Sequence, residues 1–275
     1  MRIAILLSVF NRKDKTLECL TNVYRQIDSL ASQGEYSFDI YLNDDMSTDG
    51  LSEAVKEKFP SVNIIRSEQE QFQYRGLRMA WLQAAKNDYD FYLWLDYDLN
   101  LNEGAFAELL ENSNFLRHKA LIVGSVNSIE GKLMYGGRSK SGKLIAPDPT
   151  IPIPCYTFDG DLLLVPKYAF DLLGTVDEEY QQSLADYDYG SRAVKAGINR
   201  VIAPGILATC DRVLGLPVWQ DKSYSLSERY KYLQSPKGRP LKQQFIYDLR
   251  SRGIAVAIWN FLKINFLTLF PKKRK

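Results

Sequence analysis

The chain opens on an apolar run, "IAILLSVF" (residues 3–10), which reads as a strand buried on both faces. Behind it, "NRKDKTLECLTNVYRQIDSLASQG" carries its apolar residues at helical spacing. The alternation then repeats. A strand is expected at "SFDIYLN", a loop at "DDMSTDG", a helix at "LSEAVKEKF", a short strand at "VNIIRS", a helix around "GLRMAWLQAAKN" and a buried strand at "FYLWLDYDLNL" (residues 91–101). Strands alternating with helices predict an α/β fold, with a mostly parallel central sheet covered by helices on both faces. Beyond residue 120 the pattern loosens. "ALIVGSVNS" reads as a strand, "GKLMYGGRSKSGKLIAPDPTIPIP" as turns and a long irregular loop, "GDLLLVPKYAFDLLG" as strand then helix, and "DYDYGSRAVKAG" as a helix stopped by Gly197.

The 275 residues are 25% charged and 45% hydrophobic with a formal charge of +2, which gives no case for a nucleic-acid partner. Cys19, Cys155 and Cys210 are too far apart for a zinc site and odd in number for a disulfide framework. The first apolar run is too short to span a membrane and no small-residue cleavage site follows it, so a cytoplasmic, reduced body is expected. As a helix, residues 254–270 would be about 26 Å long, short of a ~30 Å hydrocarbon core. With Asn260 and Lys263 on one side, aromatic residues around the rest and a basic "PKKRK" tail, this segment reads either as an amphipathic helix on an anionic membrane surface or as a terminal helix packed on the domain.

In parallel sheets, ligands bind beyond the carboxyl ends of the strands, and the polar clusters of this sequence fall there. Asn11-Arg12, Asp44-Asp45 and Asp96/Asp98 each stand where a strand gives out. Asp96 and Asp98 are two apart, so on an extended chain both carboxylates share a face. Either both are solvated in a turn, or a Mg²⁺ or Mn²⁺ ion relieves their repulsion and holds a diphosphate. In "YLNDDMSTDG", helix capping accounts for Ser47 and Asp49 but leaves the Asp44-Asp45 pair unexplained. Asp186 and Asp188 begin a helix that also carries Arg192, a pattern that a dipole partner and a surface pair would equally produce.

In order and spacing, "SVFNR", "NDDMSTDG", "LRMAWLQAA" before "LDYD", and "ADYDYGSRAVKAG" together resemble the nucleotide-sugar-dependent family 2 glycosyltransferases of GT-A (Rossmann-like) fold, over roughly residues 3–215. More softly, "WQDKSYSLSERYKYLQSPKGRPLKQ" is similar to bacterial members that build capsule or O-antigen chains. The resemblance implies a transferase domain over 1–215 and a C-terminal helical extension over 216–275. It implies a nucleoside-diphosphate-sugar donor, a carbohydrate or lipid-linked acceptor, a divalent metal, and peripheral contact with the inner face of the membrane. Asn11 and Arg12 would hold the base, and Asp44 and Asp45 the base and ribose. Arg78, or failing it Arg75, would face base or phosphates. Asp96 and Asp98 would form the DxD motif with Asp98 as the direct metal ligand, and Asp186 would be the general base of an inverting displacement.

The sequence departs from the family pattern at Ala185, where many relatives carry Glu. That puts more weight on Asp186 or brings in Asp159 or Asp161 of "FDGDLL". Met46 replaces a usual Gly, tolerable if its φ is negative. Lys237 and Arg239 form either a basic flap over the diphosphate or a solvated loop. His118 reads as a surface residue. Tyr135-Gly136-Gly137 reads either as a tight turn or as part of the donor pocket's lining, and Trp219 as a packing residue more than a sugar platform. Rival readings are a sugar nucleotidyltransferase or a dinucleotide-dependent oxidoreductase, both of which lack their Gly-rich loop here, and a catalytically silent nucleotide-sugar binder or scaffold.

Overall fold

The computed structural model describes residues 1–31, 34–212 and 215–271. The first third alternates as the pattern requires: β1 (Arg2–Val9), α1 (Lys13–Ala31), β2 (Ser37–Asp44), α2 (Leu51–Lys58), β3 (Asn63–Arg66), α3 (Phe72–Ala84) and β4 (Phe91–Leu95). Next come β5 (Asn100–Leu101), α4 (Ala105–Phe115), β6 (Ala120–Val123), β7 (Val126–Ser128), β8 (Leu133–Tyr135), β9 (Gly137–Arg138), β10 (Ile153–Pro154) and β11 (Thr157–Phe158). The chain then forms β12 (Leu162–Pro166), α5 (Lys167–Leu173), α6 (Ala185–Lys195), β13 (Asn199–Ile202) and β14 (Ala208–Cys210). Three helices end it, α7 (Leu226–Gln234), α8 (Leu241–Arg252) and α9 (Ile254–Leu269). The segment 131–154, expected to be irregular, thus contains three short strands. Each is two or three residues long, too short to leave an alternation in the sequence.

Among the described residues the central sheet runs β10-β13-β6-β12-β4-β1-β2-β3. β1, β2, β3 and β4 are mutually parallel, as are β6 and β13, while β12 is antiparallel to both β4 and β6. A strand buried on both faces sends alternate side chains into two cores. Ile3, Ile5, Leu7 and Val9 of β1 join Leu93 and Leu95 of β4 in one core, covered by Leu20 and Val23 of α1 and Leu109 of α4. Ala4 and Leu6 join Tyr92 and Trp94 in the other, covered by Trp81 of α3 and Tyr189 of α6. This explains why "FYLWL" shows no alternation: all five residues are buried.

Two features of this packing position the site. α3 lies close on β1 and β2 because residue 76 is glycine; a Cβ there would stand 2.1 Å from Ser8 Oγ and 2.6 Å from Asn43 Nδ2. β12 pairs with β4 so that Leu162 faces Leu95, and the Asp96 N–H donates to the Asp161 carbonyl at 2.9 Å. The residues entering β12 therefore meet the residues leaving β4 at one edge of the sheet.

The C-terminal helices have a small apolar cluster of their own, Trp219, Leu233 and Ile264, so Trp219 packs as expected. They are also tied to the body: Tyr247 enters the second core and Gln243 Nε2 donates to the Glu179 carbonyl at 2.7 Å. α9 buries Ala257, Ile264 and Thr268, while Trp259, Leu262 and Phe266 are 57–66% exposed. No helix among the described residues is long and apolar enough to cross a membrane. Lys272 to Lys275 of the basic tail lie outside the described residues.

Candidate functional site

The ends of β1 and β2 are knitted to each other and to the helices around them. The Asn11 N–H donates to Ser47 Oγ at 2.9 Å, and Asn11 Oδ1 accepts the Thr48 N–H at 2.8 Å. Asp49 receives the first N–H groups of two helices, Lys13 of α1 and Leu51 of α2. Asp44 is fully engaged as well, by the Ser47 N–H at 2.8 Å and by the Ser52 hydroxyl. Asp45 accepts the N–H groups of Gln71 and Phe72 at 2.7 and 2.8 Å, and so caps the start of α3. Met46, between these turns, has φ +64°, so the condition under which it would stand in for glycine without strain, a negative φ, is not met.

Beyond β4 the acids are held differently. Arg212, two residues after β14, places its guanidinium among three carboxylates. Its Nε donates to Asp98 at 2.7 Å, its Nη1 to Asp161 at 2.5 Å, and its Nη2 pairs with Asp96 at 2.6 Å and with the other Asp98 oxygen. The guanidinium also stacks 5.1 Å from the Tyr135 ring centroid. Asp96 is further bonded to the Gln73 amide at 2.7 Å and to the Tyr97 N–H at 2.8 Å. Burial outweighs the arginine at Asp96 and Asp161 and pushes both carboxyls above the usual range, with Asp98 adding to the shift at Asp96, and Asp96 and Asp159 to that at Asp161.

Asp186 opens α6, where the preceding Leu184 takes a left-handed φ of 73°. Its carboxylate accepts the Gly160 N–H at 3.2 Å, the Tyr187 N–H at 2.8 Å and a bond from the Tyr74 hydroxyl. Burial, and after it the charge of Asp159, push its pKa up to about 6. Asp159 is itself bound to Arg138 at 2.8 Å and to the Tyr187 hydroxyl at 3.0 Å. Gly160 packs closely here: a Cβ would stand 3.0–3.1 Å from Tyr74 Oη, Asp186 Cβ and Trp94, so these neighbours would have to shift to admit a side chain. Adjacent residues of α3 thus reach both groups: Gln73 holds Asp96 and Tyr74 holds Asp186. The Tyr74 hydroxyl is pushed up by burial first, and then by Asp186, Asp161 and Asp96 together.

A cleft of about 340 Å³ opens over these elements, lined by Arg12, Asp45, Phe72, Gln73, Asp96, Tyr97, Arg212 and Lys237 among others. Of the residues singled out from sequence, it brings together Arg12, Asp45, Asp96 and Lys237, with Asp98 attached through Arg212. Asp186 does not line the cleft; it accepts the N–H of Gly160, which with Tyr74 lines a small cavity that shares Ser8, Gln73 and Asp96 with the cleft. Arg78 and Arg75 line a separate cavity of about 310 Å³, where Arg78 pairs with Glu178 at 3.7 Å and Arg75 Nε donates to the Glu178 carbonyl. They stand there because both project from the α3 face toward the 178–179 loop. Arg239 is bonded to Gln244 at 2.6 Å, and His118 packs on the Phe91 ring beyond the end of α4. Arg212, Tyr74, Gln73 and Gly160 were not singled out from sequence; only Arg212 had a signal, its place just after a strand end.

Three buried carboxylates around one point form a hard-oxygen donor set suited to Mg²⁺ or Mn²⁺. Among the described residues, however, no group of three or more His, Cys, Asp or Glu stands arranged to hold a metal ion, because the acids are turned to Arg212. The guanidinium supplies the cation that these acids share.

A search of curated proteins finds no match. Several solved structures share the fold. S. aureus TarS aligns at TM-score 0.62 with 12% identity, over 97% of this chain and 44% of that one, so the chain spans less than half its length. The mannosyltransferase PcManGT of Pyrobaculum calidifontis, in complex with GDP-Man and Mn²⁺, aligns at 0.54 with 15% identity over 97% and 73%. GalNAc-T7, with UDP, GalNAc and Mn²⁺, aligns at 0.59 with 17% identity over 96% and 54%. At these identities the likeness shows the fold, which is GT-A. The glycosyl transferase family 2 model matches residues 4–188, a stretch that runs from β1 through Asp186 and Asp188, and the chain therefore belongs to that family.

Proposed function

We propose that the protein is an inverting glycosyltransferase that moves a sugar from a nucleoside-diphosphate sugar to a hydroxyl acceptor. The observation that carries this reading is the turn into β12, where the Gly160 N–H donates to Asp186 at 3.2 Å and the next residue, Asp161, shares Arg212 with Asp96 and Asp98. It joins the acids at the end of β4 to a carboxylate with a pKa near 6, suited to accept a proton at neutral pH. Asp186 takes the proton of the acceptor hydroxyl as that oxygen attacks the anomeric carbon from the face opposite the diphosphate. Tyr74 and the Gly160 N–H keep the carboxylate oriented. Ala185 is fully buried among apolar residues, so the acid often found there has no counterpart and Asp186 acts alone.

Asp96 and Asp98 would hold a divalent ion, which when bound offsets the charge developing on the leaving diphosphate. Arg12 and Lys237, at the cleft rim, face the donor's nucleotide. Asp45 serves the donor side indirectly, by fixing the start of α3. The exposed apolar face of α9 supports contact of the 216–275 extension with an anionic membrane surface, where a lipid-linked acceptor for surface-polysaccharide synthesis would be presented. A sugar-transfer assay tests the reading. Asp186→Asn should abolish turnover while leaving nucleotide binding intact. Turnover unchanged in that variant would remove Asp186 from the chemistry, and absence of transfer by wild type with every donor would favour a silent binder.

A further inference from the structure

Three acids meet a single cation at the end of β4, and that ratio has consequences. Arg212 occupies both oxygens of Asp98 and one of Asp96. An ion binding to Asp98 needs those same oxygens. While its three N–H-bearing nitrogens are all directed at the carboxylates, the guanidinium also has no nitrogen free for a diphosphate. The pair of partners is also asymmetric. Asp96 is anchored by the Gln73 and Tyr97 bonds, whereas among the described residues the Arg212 guanidinium meets the acids and the Tyr135 ring, and its side chain remains 26% exposed at the cleft.

Resting on the transferase reading above, we propose that Arg212 is an exchangeable counter-ion. It neutralises the acids of the unloaded site, gives them up when a divalent ion enters, and turns to the phosphate oxygens of the donor. The exchange makes metal and nucleotide depend on each other. An ion binding alone must displace Arg212 and leave the guanidinium without an anion. An ion arriving with a diphosphate supplies a new anion for it. Such linkage is reciprocal and commonly amounts to 5–150-fold.

The test is Mn²⁺ titration of the full chain, following the free-ion signal by electron paramagnetic resonance, with and without UDP or GDP. Wild type should bind Mn²⁺ weakly alone and about tenfold or more tightly with nucleotide. Arg212→Gln should bind Mn²⁺ alone about tenfold more tightly than wild type and lose most of the nucleotide enhancement. Arg212→Lys, a point charge that cannot span two carboxylates, should fall between them, and it carries the comparison if the glutamine variant fails to fold. Asp98→Ala should bind least. Equal Mn²⁺ affinity in wild type, Arg212→Gln and Arg212→Lys, all lost with Asp98→Ala, would overturn the exchange while leaving the metal reading intact. Mn²⁺ binding in none of them, with either nucleotide, would overturn both.

Discussion

Two pairs of aspartates stand at the ends of parallel strands on either side of β1 and meet opposite fates. At the end of β2, Asp44 and Asp45 are closed by the chain itself, through N–H groups of residues 47, 71 and 72 and the Ser52 hydroxyl. At the end of β4, Asp98 has one described partner, the side chain of Arg212, and Asp96 shares it. Carboxylates bound by backbone donors are part of the architecture and have no reason to let go. Carboxylates balanced by a side chain from a distant strand end can trade it for another cation. The same residue type in the same kind of place thus builds the site at one strand and works in it at the other.

This contrast can be broken by exchanging the pairs' roles in experiment. The largest effect is expected for Asp98→Ala, which should lower kcat at least about a hundredfold, since charge offset on a leaving diphosphate is worth several kcal/mol. Its urea midpoint should move little, because two acids remain for Arg212. A large loss of stability with normal turnover would reverse the assignment. Next comes pH. The folded pKa of Asp186, about 6, lies above its ordinary value of 3.8, so folding disfavours its charged form. Its penalty on stability is therefore full above pH 6 and fades as pH falls toward 4. Asp186→Asn should be more stable than wild type at pH 8 by on the order of 2–3 kcal/mol, the gain shrinking toward pH 4. In wild type, kcat/KM should fall as pH drops through about 6.

Asp45→Ala should reverse the Asp98→Ala result. Removing the acceptor of two N–H groups at the start of α3 should cost about 1–3 kcal/mol in denaturant unfolding. Activity should be lost only as far as α3 shifts Gln73 and Tyr74. The smallest effect is expected at Met46. Replacing it with glycine relieves a left-handed conformation costing roughly 1–2 kcal/mol, partly offset by the flexibility glycine gives the unfolded chain. The melting temperature should rise slightly or hold.

The regular half of the fold was legible because its strands are long and buried and its helices carry a clear period, so β1 to β4 and α1 to α3 follow the hydrophobic pattern. The expectation that chemistry sits after strand ends located Asp96 and Asp98, but Asp159 and Asp161, which precede their strand, came in only as substitutes for the acid missing at Ala185. β12 runs antiparallel, so its beginning lies at the same edge as the end of β4. Strand direction is a tertiary fact, and no local pattern carries it. Gln73 and Tyr74 were hidden for a related reason: they sit in an ordinary first helical turn, and only the close approach permitted by Gly76 aims them at the acids. Arg78 shows the converse, a basic residue at the family's spacing whose side chain goes to Glu178 instead.

The account's central claim is that the Asp96–Asp98 end of the cleft receives the diphosphate of an activated sugar together with a divalent ion. A thermal-shift series with UDP-, dTDP- and GDP-sugars, with and without Mn²⁺, on wild type and Asp98→Ala tests it most directly. One donor should raise the wild-type midpoint with Mn²⁺, by the equivalent of ~2.7 kcal/mol at a hundredfold excess over its dissociation constant, and Asp98→Ala should lose that shift. A shift of the same size in Asp98→Ala, or none in wild type with any donor, would contradict the claim.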